Sequence, residues 1–123
     1  MARRNDRGRE ETRALSPAEF DVLIALADGE KHGYAILKDV ARRTEGAAPF
    51  GTATLYAILR RFVGEGLLVE SDERPAAALD DERRRYFRIT EAGRRAATAE
   101  AARMEAVLEL ARTRKLIRRP RTV

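Results

Sequence analysis

Arginines, hydroxyls and two small residues recur between Thr52 and Arg61 at a spacing that suits contact with a polyanion. The stretch FGTATLYAILRRFVGEGLL, residues 50–68, carries Phe50, Leu55, Ile58, Leu59 and Phe62 at helical spacing, so one side of a short helix is apolar. At about 100° per residue, Ala53 and Ala57 fall opposite that stripe, flanked by Tyr56 with Arg60 and by Thr54 with Arg61. Small residues at the centre of a face let the backbone approach a grooved partner, while arginines and hydroxyls reach phosphates or base edges. The pattern predicts a recognition helix whose nucleic-acid face is Thr52, Ala53, Thr54, Tyr56, Ala57, Arg60 and Arg61. Thr54 and Tyr56 are expected at phosphates or base edges, and Arg60 at a guanine or a phosphate. The plainer alternative is a core helix with arginines on a solvated side, and the helix alone does not decide between them. Tyr56 has its own alternative: its ring packs inside and only the hydroxyl turns outward.

A second cluster, RRRYFRI at residues 83–89, reads as a strand. Alternation puts Phe87 and Ile89 on one side and Arg84, Tyr86 and Arg88 on the other. Arg83, Arg84 and Arg85 are the expected backbone contacts, Tyr86 a buttress, and Arg88 is left between DNA and an ion pair within the fold. Other chemistry is poorly provided for. There is no cysteine and only one histidine, His32, so neither a transition-metal site within one chain nor a histidine-based nucleophile pair is expected. His32 is read as structural, at the start of a helix. No metal, cofactor or enzymatic activity is expected.

The elements that must position these clusters follow from the rest of the chain. It has 123 residues, a formal net charge of +5 and 37% charged residues, which bounds it to one modest core and favours a polyanionic partner. Residues 1–14 are a charged arm without apolar periodicity, and Arg3, Arg4, Arg7 and Arg9 are diluted there by Asp6, Glu10 and Glu11. Ser16-Pro17-Ala18-Glu19 predicts a capped helix start. Phe20, Leu23, Ile24 and Ala27 are its expected inner stripe, closed by Gly29. A second helix is expected from Gly33, with Tyr34, Leu37, Val40 and Ala41 inward, fading by Thr44–Gly46. Gly51 or Thr52 can cap the third, with Gly64 and Gly66 supplying its stop. Leu67–Glu70, a long polar tip from Ser71 to Glu82, and the basic strand then form a two-stranded hairpin.

Helix, helix, recognition helix and basic hairpin is the winged helix-turn-helix order, assigned to residues 15–90. Thr90 caps a last helix over residues 91–115, expected to be ~24 residues and roughly 36 Å long, longer than a three-helix core needs. Ala97, Ala101, Met104, Leu108 and Ala111 form a heptad seam on it, broadened by Val107 and Leu110. Folding back over its own domain is one reading of this helix; pairing with a second copy is the reading favoured by a seam that outruns the domain. Residues 116–123 are a basic tail. The expected architecture is therefore mainly α with a small β-hairpin, a winged helix-turn-helix plus a long C-terminal dimerisation helix. No run is apolar and long enough to span a membrane, and the N-terminus has no secretory signal, so a cytoplasmic protein is expected.

These motifs together resemble the PadR family of bacterial transcriptional regulators. The resemblance rests on His32-Gly33-Tyr34, Thr54-Leu55-Tyr56, Gly66-Leu67-Leu68 and the run Arg85-Tyr86-Phe87-Arg88-Ile89-Thr90-Glu91-Ala92-Gly93-Arg94. It extends from about Leu15 to about Lys115, and the single C-terminal helix is similar to the short subtype. Ala53 stands where many relatives have glycine, Ala57 where proline is common, and the wing tip is longer and more acidic. The resemblance implies a homodimeric repressor that binds double-stranded operator DNA and is often released by a small-molecule effector. The alternative from another class is a winged-helix module that binds a protein and no DNA, a reading kept open by the acidic wing tip.

Overall fold

A computed structural model describes residues 13–45, 49–71 and 85–118. The arm through residue 12, the wing tip, Arg83 and Arg84, and the end of the basic tail lie outside the described residues. The elements run α1 (Pro17–Leu26), β1 (Lys31–His32), α2 (Gly33–Arg43), α3 (Thr52–Gly64), β2 (Leu68–Ser71), β3 (Tyr86–Ile89) and α4 (Glu91–Thr113).

Helix α1 begins as its sequence dictates. The Ser16 hydroxyl accepts from the Glu19 backbone N–H, and the Glu19 carboxylate accepts from the Ser16 N–H at 2.9 Å. Its buried side differs from the expected stripe. Val22, Leu23, Ala25 and Leu26 are buried, whereas Ile24 is exposed and Phe20 and Ala27 are half-buried. The segment is apolar nearly all round, so periodicity cannot choose a single inner side. One side enters the core; the Phe20–Ile24 side looks out beside α4.

A similar correction applies to α2. Ile36 and Val40 are its fully buried side chains, Leu37 and Ala41 are half-buried, and Tyr34 is 57% exposed rather than inward. The helix is capped by His32, whose Nδ1 accepts from the Ala35 backbone N–H at 3.1 Å. The same ring meets Tyr86 edge-on at 5.3 Å between centroids, tying the start of α2 to the wing strand.

The sheet has three strands in the order β1-β3-β2, all antiparallel. The hairpin of β2 and β3 was expected; the two-residue β1, which pairs Lys31 with Phe87 and His32 with Tyr86, was not. A strand of two residues is too short to leave an alternating pattern. Phe87 and Ile89 do face the core and Arg88 faces solvent, as alternation requires.

Wing and last helix are joined at a tight corner. The Thr90 hydroxyl accepts from the Gly93 N–H at 3.0 Å and donates to the Gly66 carbonyl at 2.7 Å, while the Thr90 N–H donates to the Leu67 carbonyl at 3.0 Å. Gly66 takes φ of 79°, a left-handed turn that suits glycine. Gly93 is needed for space: a Cβ there would lie 2.2 Å from the Leu67 carbonyl oxygen.

After this corner α4 packs Gly93, Ala96 and Glu100 against the domain and then leaves it. Every residue from Ala101 to Leu110 is exposed, an overhang that with the last turn reaches about 20 Å. Met104 is 38%, Leu108 45% and Val107 60% exposed, and Ala97 and Ala111 are half-buried.

Because the obstacle at Gly93 is backbone, Gly93→Ala is expected to destabilise the fold by about 2 kcal/mol or more. Urea unfolding followed by circular dichroism checks this, and an unchanged midpoint would show that the corner can shift at little cost.

Candidate nucleic-acid interface

Helix α3 is anchored by Leu55, Ile58, Leu59 and Phe62, all buried. Phe50 packs on the same core ahead of the Gly51 N-cap, which offers no side-chain capping bond. Burial of that stripe turns Thr52, Ala53, Thr54, Arg60 and Arg61 to the exposed side, with Tyr56 and Ala57 half-buried at its margins. Between α3 and the wing runs an open groove of about 680 Å³, whose lining includes Thr52, Ala53, Arg60, Glu70 and Arg85. The groove brings Thr52, Ala53, Tyr56 and Arg60 of the predicted helix set together with Arg85, the one predicted wing arginine among the described residues, whereas Thr54, Ala57 and Arg61 do not line it.

The predicted site residues are not equivalent in their surroundings. Tyr56 lines the groove with its ring, but its hydroxyl is buried beside α2: a Cβ on Gly33 would sit 2.2 Å from it. Tyr56 therefore spaces α3 from α2, and Gly33 is the residue that leaves room for it. Arg61 is directed at α1. Its Nη2 and Nε donate to Glu19 Oε2 at 3.2 and 3.3 Å. Arg85 lies with Nε 3.3 Å from Glu70 Oε2, which offsets the one acidic group among the described residues of the groove. Arg88 sits 3.8 Å from Glu30, the internal pairing allowed for in the sequence. Arg60, by contrast, makes no ion pair or hydrogen bond among the described residues and stands exposed at the groove.

Two residues on α2 were overlooked in the sequence. Tyr34 and Lys38 are exposed, with the Lys38 ammonium 5.2 Å from the Tyr34 ring centroid. Their spacing of four, opposite the similarly spaced Ile36 and Val40, is the signal that could have found them. Tyr34, expected inward with Leu37, Val40 and Ala41, is on the exposed side.

The electrostatics beside α3 centre on Glu19, which is 5% exposed. Burial opposes its ionisation, but hydrogen bonds from Arg13, the Ser16 N–H and Arg61 outweigh that and hold the carboxyl at about 2. The Arg13 guanidinium is held protonated still more firmly by its hydrogen bonds to Glu19 and Glu65. Among the described residues no group of histidine, aspartate and glutamate could hold a metal ion, and no helix is long and apolar enough to cross a membrane.

Comparison with known proteins agrees with this architecture. The family model described as "Transcriptional regulator PadR-like family" matches residues 22–99. No curated protein matches the chain at a significant level. Among solved structures, a transcriptional regulator from Clostridium thermocellum is 22% identical, with a TM-score of 0.64 over 77% of this chain and 89% of that one. A PadR family transcription regulator from Clostridium difficile R20291 is 20% identical, with a TM-score of 0.62 over 80% and 97%. A PadR family regulator from Eggerthella lenta is 26% identical, with a TM-score of 0.57 over 72% and 74%.

The Glu19 cluster makes stability depend on acid. A carboxyl that titrates lower in the folded protein contributes fully above its ordinary value of 4.5 and loses that contribution as the pH falls through about 2. Chemical denaturation across this window should show a loss on the order of 3 kcal/mol. In Glu19→Gln the protein should start less stable and show a much flatter acid dependence; an unchanged acid slope would remove Glu19 from this role.

Proposed function

The chain belongs to the PadR-like family of transcriptional regulators, and on that premise we propose that it binds operator DNA as a homodimer and represses the adjoining promoter. The observation that carries this reading is the exposed side of α3, with Arg60 unpaired among the described residues and facing a groove closed on its far side by the wing. Helix α3 enters the major groove, where Ala53 allows close approach and Arg60 reads a guanine edge or meets a phosphate. Thr52 and Thr54 donate to phosphates, and Arg85, with Arg83 and Arg84 from the sequence, follows the backbone alongside. Tyr34 and Lys38 extend the contact on the α2 side.

Dimer formation is supported by the α4 overhang. Ala101, Met104, Leu108 and Ala111 continue the seam that begins at Ala97, and Phe20 on α1 adjoins Met104 and Leu108 in one shallow apolar cleft. A helix that leaves its domain with such a face exposed gains its apolar contacts from a second copy. A small apolar effector that releases the DNA would be enclosed in the clefts lined by Phe20, Ile24, Thr98 and Ala101. The reading is non-enzymatic and needs no cofactor.

Two measurements test it. Footprinting on the DNA upstream of the protein's own gene should show a roughly two-fold protected site that persists against excess non-specific competitor. Arg60→Ala should weaken that binding by about 10- to 100-fold and weaken non-specific binding less; equal losses would remove Arg60 as a base reader. In sedimentation the protein should behave as a dimer, and Leu108→Glu should convert it to single chains. A wild-type monomer at micromolar concentration would overturn the dimer.

A further inference from the structure

Arg60 and Arg61 are adjacent in sequence and both exposed to some degree, yet only one of them has a buried partner. Glu19 Oε2 accepts from Arg61 and also from Arg13 Nη2 at 3.1 Å, while Glu19 Oε1 accepts from Arg13 Nη1 at 3.1 Å and from the Ser16 N–H. The same Arg13 guanidinium reaches Glu65, the C-cap of α3, at 3.1 Å. Two arginines and two glutamates thus join the segment ahead of α1, the first turn of α1 and the C-terminal end of α3 in one charge-balanced cluster. Two positions along from Arg13, the Leu15 N–H donates to Glu100 of α4 at 3.1 Å. The short segment from Arg13 to Glu19 therefore holds both the recognition helix and the long helix.

If Arg61 left, the buried Glu19 would lose two charge-assisted hydrogen bonds and one of its two cations, keeping only Arg13 and the Ser16 N–H. A phosphate contact at the rim of a wet interface is screened by salt and offers less in return. Arg61 cannot leave Glu19 for DNA without that exchange. We propose that Arg61 and Arg13 are positioning residues, which clamp the C-terminal end of α3 to α1 through Glu19 and Glu65 and so fix the angle at which α3 meets DNA, and that Arg61 itself touches no phosphate. This rests on the DNA-binding reading for its functional consequence, while the clamp stands on the geometry alone. It also divides labour between neighbours: Arg60 reads and Arg61 holds.

The test uses the full chain as Arg61→Ala, Arg61→Lys, Arg13→Ala and Arg60→Ala. Hydrogen exchange is followed at the amides of Glu65 and Leu67, which donate to the Arg61 and Phe62 carbonyls, relative to the amides of α2. Both Arg61→Ala and Arg13→Ala should speed exchange at these amides several-fold, Arg61→Lys should restore part of the protection, and Arg60→Ala should leave it unchanged. Unchanged exchange in Arg13→Ala or Arg61→Ala overturns the clamp, whether or not the protein binds DNA. In parallel, affinity for the upstream DNA is measured against salt. Arg61→Ala should weaken binding about 5- to 10-fold with the slope unchanged, whereas loss of a phosphate contact would reduce the slope by about 0.9. A reduced slope makes Arg61 a direct contact and overturns its assignment. Failure of the wild-type protein to bind any DNA would instead defeat the regulator reading, and the exchange result would still decide the clamp.

Discussion

Helix α3 must be fully buried on one side and bare on the other, and most of the domain serves that double requirement. Leu55, Ile58, Leu59 and Phe62 supply the burial, but a helix of 13 residues is held in orientation by its ends and margins as well as its stripe. Tyr56 fits into the space that Gly33 leaves on α2, so the separation of the two helices is set by an aromatic ring meeting a residue without a side chain. Farther along, Arg61 and Glu65 are held to the start of α1 through Glu19 and Arg13. The chain then turns at Gly66, and the wing comes back beside the exposed side. Each neighbour grips α3 at a different place, and none covers the outer face of Ala53 or Arg60.

Charge in this protein is sorted by burial rather than by sequence neighbourhood. Arginines next to one another end in different environments because a helix turns about 100° per residue. That is enough to move one guanidinium from solvent to a buried carboxylate. The carboxylate concerned, Glu19, first appears as half of a capping box, a local device worth about a kcal/mol. In the folded chain its second oxygen accepts from a helix 42 residues away. A residue placed by local helix chemistry thereby becomes the electrostatic anchor of a tertiary contact. Of the two neighbours on α3, Arg61 is engaged with Glu19, while Arg60 makes no ion pair or hydrogen bond among the described residues.

The long helix illustrates a different economy. Up to Glu100 it belongs to the domain, with Gly93 pressed against the Leu67 carbonyl and Glu100 accepting from the Leu15 N–H. Beyond that point every residue as far as Leu110 is exposed, with Phe20 of α1 beside Met104 and Leu108 in one shallow cleft. The junction at Leu15 lies two residues from Arg13, so the start of the overhang and the end of α3 are fastened to the same short stretch of chain. Tilting α4 against the domain would load the contacts that hold α3.

By itself the sequence determined the order of the four helices and the wing hairpin, the cap at Ser16–Glu19, the apolar stripe of α3, the alternation of the returning wing strand and the start of the last helix at Thr90. All of these are set within one or two helical turns or a few strand residues, where spacing and capping chemistry act directly. The family resemblance was legible for the same reason, since its motifs are short runs such as His32-Gly33-Tyr34 and Thr54-Leu55-Tyr56. Only the tertiary structure decided which side of α1 enters the core, because that helix is apolar nearly all round. It also decided that Tyr34 is exposed, that Lys31–His32 adds a strand, and that Arg61 turns to Glu19 and the Tyr56 hydroxyl to Gly33. These outcomes depend on groups brought together from distant parts of the chain. Periodicity reports which residues share a face, whereas the partner that a face meets is fixed only when the helices pack.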